Sequence, residues 1–273
     1  MADTQPEMSF LDHIGELRTV LIRSCIAIVV MAFVAYYFNE FIFNTIIFGP
    51  TKTDFFTYRF FCEASQYLGF KESICIEELP FTIQNTEMEG QVNIFVWTCI
   101  LAGFILAFPY ILYQFWGFIS PALHSHERGN AVKFIVISSL LFFIGIIFGY
   151  FVIVPMSVNF LATFKISEVV KNDINIDSYI GMIKTSMIAS GLFFELPVII
   201  YFLTKLGLVT PSFLRKYRKY AIVLVLIVAA IVTPPDVVSQ ITVTIPMLLV
   251  YEASIFISAL VVRKQKKAEI VKS

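Results

Sequence analysis

The chain has 273 residues, 58% of them hydrophobic and only 15% charged, with 29 Phe. Soluble globular domains carry about 45–50% apolar and about 25% charged residues, so a water-solvated fold of this length could not bury so much apolar surface, and lipid must be the solvent. The 20 basic and 20 acidic residues cancel, which leaves no nucleic-acid footprint in the totals.

Asp3, Glu7, Asp12 and Glu16 make the N-terminal stretch acidic, and no small-residue cleavage site follows, so it does not read as a cleavable signal peptide. Ser9 reads as a helix N-cap with Asp12 at the third helical position. Phe10, Leu11, Ile14, Leu17 and Leu21 then recur at helical spacing, while His13 and Glu16 stand on a more polar side. The pattern predicts an amphipathic interfacial helix that feeds the first span. By periodicity alone, Glu16 is a solvated carboxylate that could pair with Arg18.

A membrane-spanning helix needs about 20 mostly apolar residues. Six runs qualify, at residues 21–43, 92–115, 132–154, 179–203, 220–232 and 237–262. The fifth, of about 13 residues, reaches only about 20 Å at 1.5 Å per residue, short of a hydrocarbon core of about 30 Å. Thr233-Pro234-Pro235-Asp236 joins the last two as a tight hairpin, because tandem prolines stop one helix and start the next. Asp236 reads as a cap on that hairpin. Pro109 and Pro246 predict kinks, and Glu252 is expected to snorkel toward a membrane edge.

Lys and Arg assign the sides. Arg18, Arg23, Arg128, Lys133, Lys205, Arg215, Lys216, Arg218, Lys219, Arg263, Lys264, Lys266, Lys267 and Lys272 make fourteen on one side; Lys52, Arg59, Lys71, Lys165, Lys171 and Lys184 make six on the other. Both termini are therefore expected in the cytoplasm. One integral membrane domain is expected: a cytoplasmic segment (1–20), a six-helix bundle (21–262) and a basic tail (263–273). Cys25 and Cys99 fall inside spans and read as small buried hydrophobes. Cys62 and Cys75 share the long outer loop on the oxidising side, where a disulfide is expected. A zinc site would want four ligands, and no His lies in that loop.

Besides Glu16, two carboxylates invite a functional reading. In the connection from Gly117 to Arg128, Ser125 can cap a helix and put Glu127 in its first turn, where the helix dipole already accounts for it. Glu195 lies deep in the fourth run, where ionisable groups usually face a bundle interior or a wet cavity. Pro197 removes the N–H that would bond the Phe193 carbonyl. A functional carboxyl and an interhelical clamp, to Lys184, Gln240 or a Thr of the sixth run, both remain open.

Several motifs resemble the TatC family in order and spacing. They are His13-Ile14-Gly15-Glu16-Leu17-Arg18, Tyr113 through Phe118 to Pro121-Ala122-Leu123 and His126-Glu127-Arg128, Phe194-Glu195-Leu196-Pro197, and Thr233 to Asp236 with Ser239-Gln240. The resemblance runs from Ser9 to about Val262. Two features depart from it: the long first outer loop with Cys62 and Cys75, and Gly129 where a second basic residue is frequent. It implies an all-α, glove-shaped bundle of six helices, the last two short. It also implies the signal-recognising subunit of the twin-arginine translocase, in the bacterial inner membrane. Glu16 and Glu127, with His13, Leu17, Arg18 and Arg128, would bind the paired arginines of export signals on folded cargo. Glu195, Pro197 and Gln240 would serve a concave face where single-span TatA- and TatB-like partners dock; Pro234, Pro235 and Asp236 form the periplasmic hairpin. A homo-oligomer within the complex, export driven by the proton gradient, no cofactor and no catalytic residue are implied as well.

Two rivals are weaker. A proton-coupled small-solute transporter would share the embedded Glu beside a broken helix, but paired half-sequences are not visible. An intramembrane protease would need a nucleophile and base or metal ligands within the spans. His13, His124 and His126 all sit at the cytoplasmic edge instead.

Overall fold

Five helices are long and apolar enough to cross a bilayer: Ile14–Tyr37, Gly90–Phe118, Ala131–Thr163, Ile176–Lys205 and Ser239–Lys266. They belong to a computed structural model that describes residues 10–67, 81–119, 131–167 and 173–272. Such runs become helices because hydrocarbon offers no partner to a backbone N–H or C=O, and a helix satisfies every one internally. In chain order the helices are α1 (Phe10–Tyr37), α2 (Phe56–Tyr67), α3 (Gly90–Ile119), α4 (Ala131–Thr163), α5 (Ile176–Lys205), α6 (Pro211–Lys216), α7 (Arg218–Val232) and α8 (Val237–Lys272). Two short strands, β1 (Thr82–Gln84) and β2 (Asp173–Asn175), pair in parallel with Ile83 opposite Ile174. The protein is a mostly helical membrane protein.

One expectation about α1 is corrected. The N-terminal amphipathic stretch is not a separate interfacial helix: from Phe10 it is continuous with the first span, because nothing between Phe10 and Tyr37 breaks the hydrogen-bond ladder. The α-helix is interrupted at Phe38, and helical backbone resumes over Asn39–Phe41 and, as a π-helix, over Ile42–Ile47, so the helical run reaches past residue 43. At the interruption the Asn39 side-chain amide donates to the Tyr36 carbonyl at 2.7 Å, and a 3-10 turn over Gly49–Thr51 follows the helical run.

The chain forms two compact units, residues 1–39 with 95–139 and residues 40–94 with 140–273. In the first, α1 and α3 cross at Gly103. A Cβ added there would stand 2.6 Å from the Ala32 nitrogen and 2.7 Å from the Ile28 carbonyl oxygen, so only glycine permits this approach. Elsewhere α1 turns large apolar side chains outward, Phe33 being 70% exposed. Lipid accepts such a surface as readily as a core does.

In the second unit α4 and α5 meet along a seam of small residues. Gly145 and Gly149 of α4 face Ser186 and Ser190 of α5, and the Ser190 hydroxyl donates to the Gly145 carbonyl at 2.7 Å. This is the small-xxx-small logic of membrane helices: without side chains in the way, backbones pack closely. Ile153, Val225, Ala229, Val232, Val243 and Met247 form a buried cluster where α7 and α8 join α4. Ile200, Leu214, Tyr251 and Ile255 form another where α5 and α6 meet α8.

Pro155 interrupts α4 near its C-terminal end. It cannot donate to the Phe151 carbonyl four residues back, and the Thr57 hydroxyl of α2 takes that acceptor at 2.6 Å. Tyr58 donates to the carbonyls of Pro50 at 2.9 Å and Pro155 at 3.3 Å. Tyr179 and Tyr150 donate to Ile47 and Ile46 at 2.7 and 2.8 Å. Tyrosine hydroxyls thus bond carbonyls of the segment between α1 and α2, at Ile46, Ile47 and Pro50, and reach one carbonyl of α4 as well. Burial pushes the Tyr58 hydroxyl's pKa above the usual tyrosine value.

Candidate functional site

Glu195 sits where α5 breaks. The first half of the helix ends at Phe194 and the second begins at Leu196. The Glu195 N–H donates to the Leu192 carbonyl at 3.2 Å, and its own carbonyl accepts from Val198 and Ile199 at 3.0 Å each. Pro197, buried at the start of the second half, lacks the N–H that a continuous ladder would need at Phe193. The Glu195 residue is buried, 7% exposed. A carboxyl so placed in a membrane helix is held by surrounding protein rather than by lipid. One turn before it, Gly191 and Ser190 belong to the close-packed seam with α4, which adjoins the break.

Lys184 lies about 11 residues before Glu195, roughly 16 Å along the helix, beyond reach of a clamp to it. Gln240 is half-buried near the N-terminal end of α8, and its amide donates across to the Leu226 carbonyl of α7 at 3.5 Å. Asp236 performs the expected cap, its Oδ2 accepting from the Ser239 N–H at 2.8 Å. Pro234 is half-buried and Pro235 exposed in the turn before it.

Near the other end of the chain, Glu16 and Leu17 are half-buried on α1 while Arg18 is exposed; His13 lies in the first turns of the same helix. No hydrogen bond or ion pair joins Glu16 to Arg18 among the described residues. Glu127, Arg128 and Cys75 lie outside the described residues, so no geometry joins Glu16 to Glu127 here. Cys62, on α2, is disulfide-bonded, whereas Cys25 and Cys99 are free. No group of three or more His, Cys, Asp and Glu is arranged as metal ligands among the described residues.

One ionic pair escaped the sequence reading. Glu252 does not snorkel alone: Arg218 grips it through both carboxylate oxygens, with Nη2 to Oε2 at 2.8 Å and Nε to Oε1 at 2.7 Å. The pair ties the start of α7 to α8, and both side chains are about half exposed. Nothing local signals it, since 34 residues separate the partners. The Gly145–Gly149 and Ser186–Ser190 spacings, by contrast, stand in the sequence as small-xxx-small patterns and could have predicted the seam.

The family profile for the Sec-independent protein translocase protein (TatC) matches residues 12–246. The chain belongs to the TatC family. It is 42% identical over 266 residues to the TatC protein of Blattabacterium sp. subsp. Periplaneta americana, covering 97% of this chain and all of that one. The TatCy protein of Bacillus subtilis is 36% identical, with 96% of this chain and 93% of the relative aligned. The Aquifex aeolicus TatC is 34% identical over 96% and 99% of the two chains. In three dimensions the chain resembles a crystal structure of the twin-arginine translocase receptor TatC, with a TM-score of 0.71 and 32% identity over 92% of this chain and 99% of that one. As a TatC-family protein the chain is a component of a protein translocase.

Proposed function

We propose that this TatC-family chain is the receptor of a twin-arginine export machine in the bacterial inner membrane, reading paired arginines on folded cargo at its cytoplasmic face. The observation that carries the reading is the likeness, in fold and sequence together, to a solved twin-arginine translocase receptor over nearly the whole chain.

Glu16 and Glu127 are the proposed recognition pair. A carboxylate accepts the two-bond planar fork of guanidinium, which a lysine ammonium cannot reproduce, and this gives a physical reason for arginine in the signal. His13, Leu17, Arg18 and Arg128 flank them in the binding surface. Glu195, beside Pro197 and with Gln240 on α8, is proposed to serve a concave face where single-span TatA- and TatB-like subunits and the apolar part of the signal engage. More than one copy of the chain would assemble in the complex.

In this reading the chain is one membrane domain, glove-shaped, with α7 as the fifth of six crossings. Its 15 residues extend about 22 Å, so the bilayer thins beside it or the helix pair tilts. The excess of Lys and Arg supports cytoplasmic termini. Cys62, which is disulfide-bonded, is proposed to pair with Cys75, the one further cysteine in the sequence besides the free Cys25 and Cys99. The test is a strain lacking its own receptor: this chain, supplied with its cognate single-span partners, should restore export of a folded reporter bearing a twin-arginine signal and leave a twin-lysine version inside. Export of neither, with the protein present in the membrane, would defeat the proposal.

A further inference from the structure

The outer helix α2 carries two surfaces of opposite character. One is locked to α4 by Thr57 and Tyr58, both buried. The other bears Phe56 and Phe60, one turn apart with rings stacked at 6.3 Å, 66% and 57% exposed. Tyr67 extends the exposed stripe two turns on, and Arg59, Glu63 and Gln66 lie alongside. Two adjacent exposed phenylalanines are costly in water and are not a feature of a solvated loop.

Their height along α4 says what covers them. A span takes about 20 apolar residues, and the first such stretch after Lys133 runs from Phe134 to Ile153. Phe56 meets the edge of Phe151 at 6.0 Å, and Phe55 stacks on the same ring at 5.7 Å. The aromatic face of α2 therefore stands level with the last turn of that apolar stretch, inside the hydrocarbon. That is the depth at which membrane proteins carry aromatic belts, with charged side chains of the same helix able to reach the headgroups.

We propose that α2 is an interfacial helix seated in the leaflet at the outer end of α4, with Phe56 and Phe60 immersed among acyl chains. Its partner is the lipid surface itself. The disulfide at Cys62 lies on this helix, so the anchor also holds the outer loop to the membrane. The inference depends on α4 crossing the bilayer and not on signal recognition.

The test makes the Phe60→Trp substitution in a chain whose own tryptophans are removed (Trp97→Phe, Trp116→Phe), reconstituted in phosphatidylcholine–phosphatidylglycerol vesicles with brominated phosphatidylcholine. The single indole introduced at position 60 should emit at short wavelength, resist acrylamide, and be quenched more by lipid brominated near the headgroup than near the chain end. A parallel Phe56→Trp chain guards against local misfolding at one position. Water-like emission with no quenching by bromolipid at both positions would overturn the proposal. So would bromolipid quenching that disappears when the single-span partners are co-reconstituted, since that would make the stripe a protein-docking face.

Discussion

Gly145→Ala probes the seam that adjoins the break at Glu195. The new Cβ would stand 2.6 Å from the Ser190 carbonyl oxygen and 2.8 Å from the Gly191 Cα, whereas ordinary contact begins at 3.4 Å. Both atoms are backbone and cannot rotate away, so α4 and α5 must separate by somewhat under 1 Å. Overpacking of this kind costs about 1–3 kcal/mol. Losing the interhelical bond from Ser190 adds little, about 0.6 kcal/mol in membrane helices, because the same hydroxyl also reaches the Ser186 carbonyl at 2.7 Å. Alanine's better helix propensity returns up to about 1 kcal/mol. The net loss is about 1–3 kcal/mol, a fall in Tm of roughly 2–12 °C at about 2–4 °C per kcal/mol for a chain of this size. Thermal unfolding of the detergent-purified protein, followed by loss of the monodisperse peak, reads it. Gly181→Ala, on the same α5 but with nothing within 4 Å of its Cβ, should leave Tm unchanged or raise it. If the two alanine variants melt alike, close backbone contact at the seam does not set the spacing of α4 and α5.

Glu16→Gln and Glu127→Gln should each weaken cross-linking to a twin-arginine peptide roughly tenfold to a hundredfold, the worth of a charge-assisted bond of about 1.5–3 kcal/mol; wild-type cross-linking in the double variant would refute the pair. Glu195→Ala should impair docking of the single-span subunits more than signal binding, and Glu195→Gln should keep more activity if hydrogen bonding matters more than charge. Site-specific cross-links to partners that persist unchanged in Glu195→Ala would contradict this. Non-reducing peptide mass spectrometry should find Cys62 joined to Cys75. Cys75→Ser should cost about 3 kcal/mol by the loop-entropy account, a lower Tm that reductant reproduces in the wild type and not in the variant.

Much of this molecule is legible along the chain because lipid imposes a one-dimensional rule. Backbone groups must pair within a segment, so length and hydropathy alone mark the five long helices, and the Pro234–Pro235 turn with Asp236 as cap follows from what proline and aspartate do locally. Glu195 announced itself for the same reason, since a carboxylate beside a proline is conspicuous in an apolar run. Tertiary structure decided whatever depends on distant partners. The connecting helix α2 takes its place from hydroxyls that seek carbonyls nearly a hundred residues away, the one freed at Phe151 and that of Pro155 itself. The strands at Thr82–Gln84 and Asp173–Asn175 are too short to be recognised except through each other. Glu252 looked like a lone charge until α7 and α8 folded back at the hairpin and brought Arg218 beside it. Side chains that satisfy their own helix can be read from spacing; those that satisfy another element's unpaired groups become visible only once the chain has brought the two together.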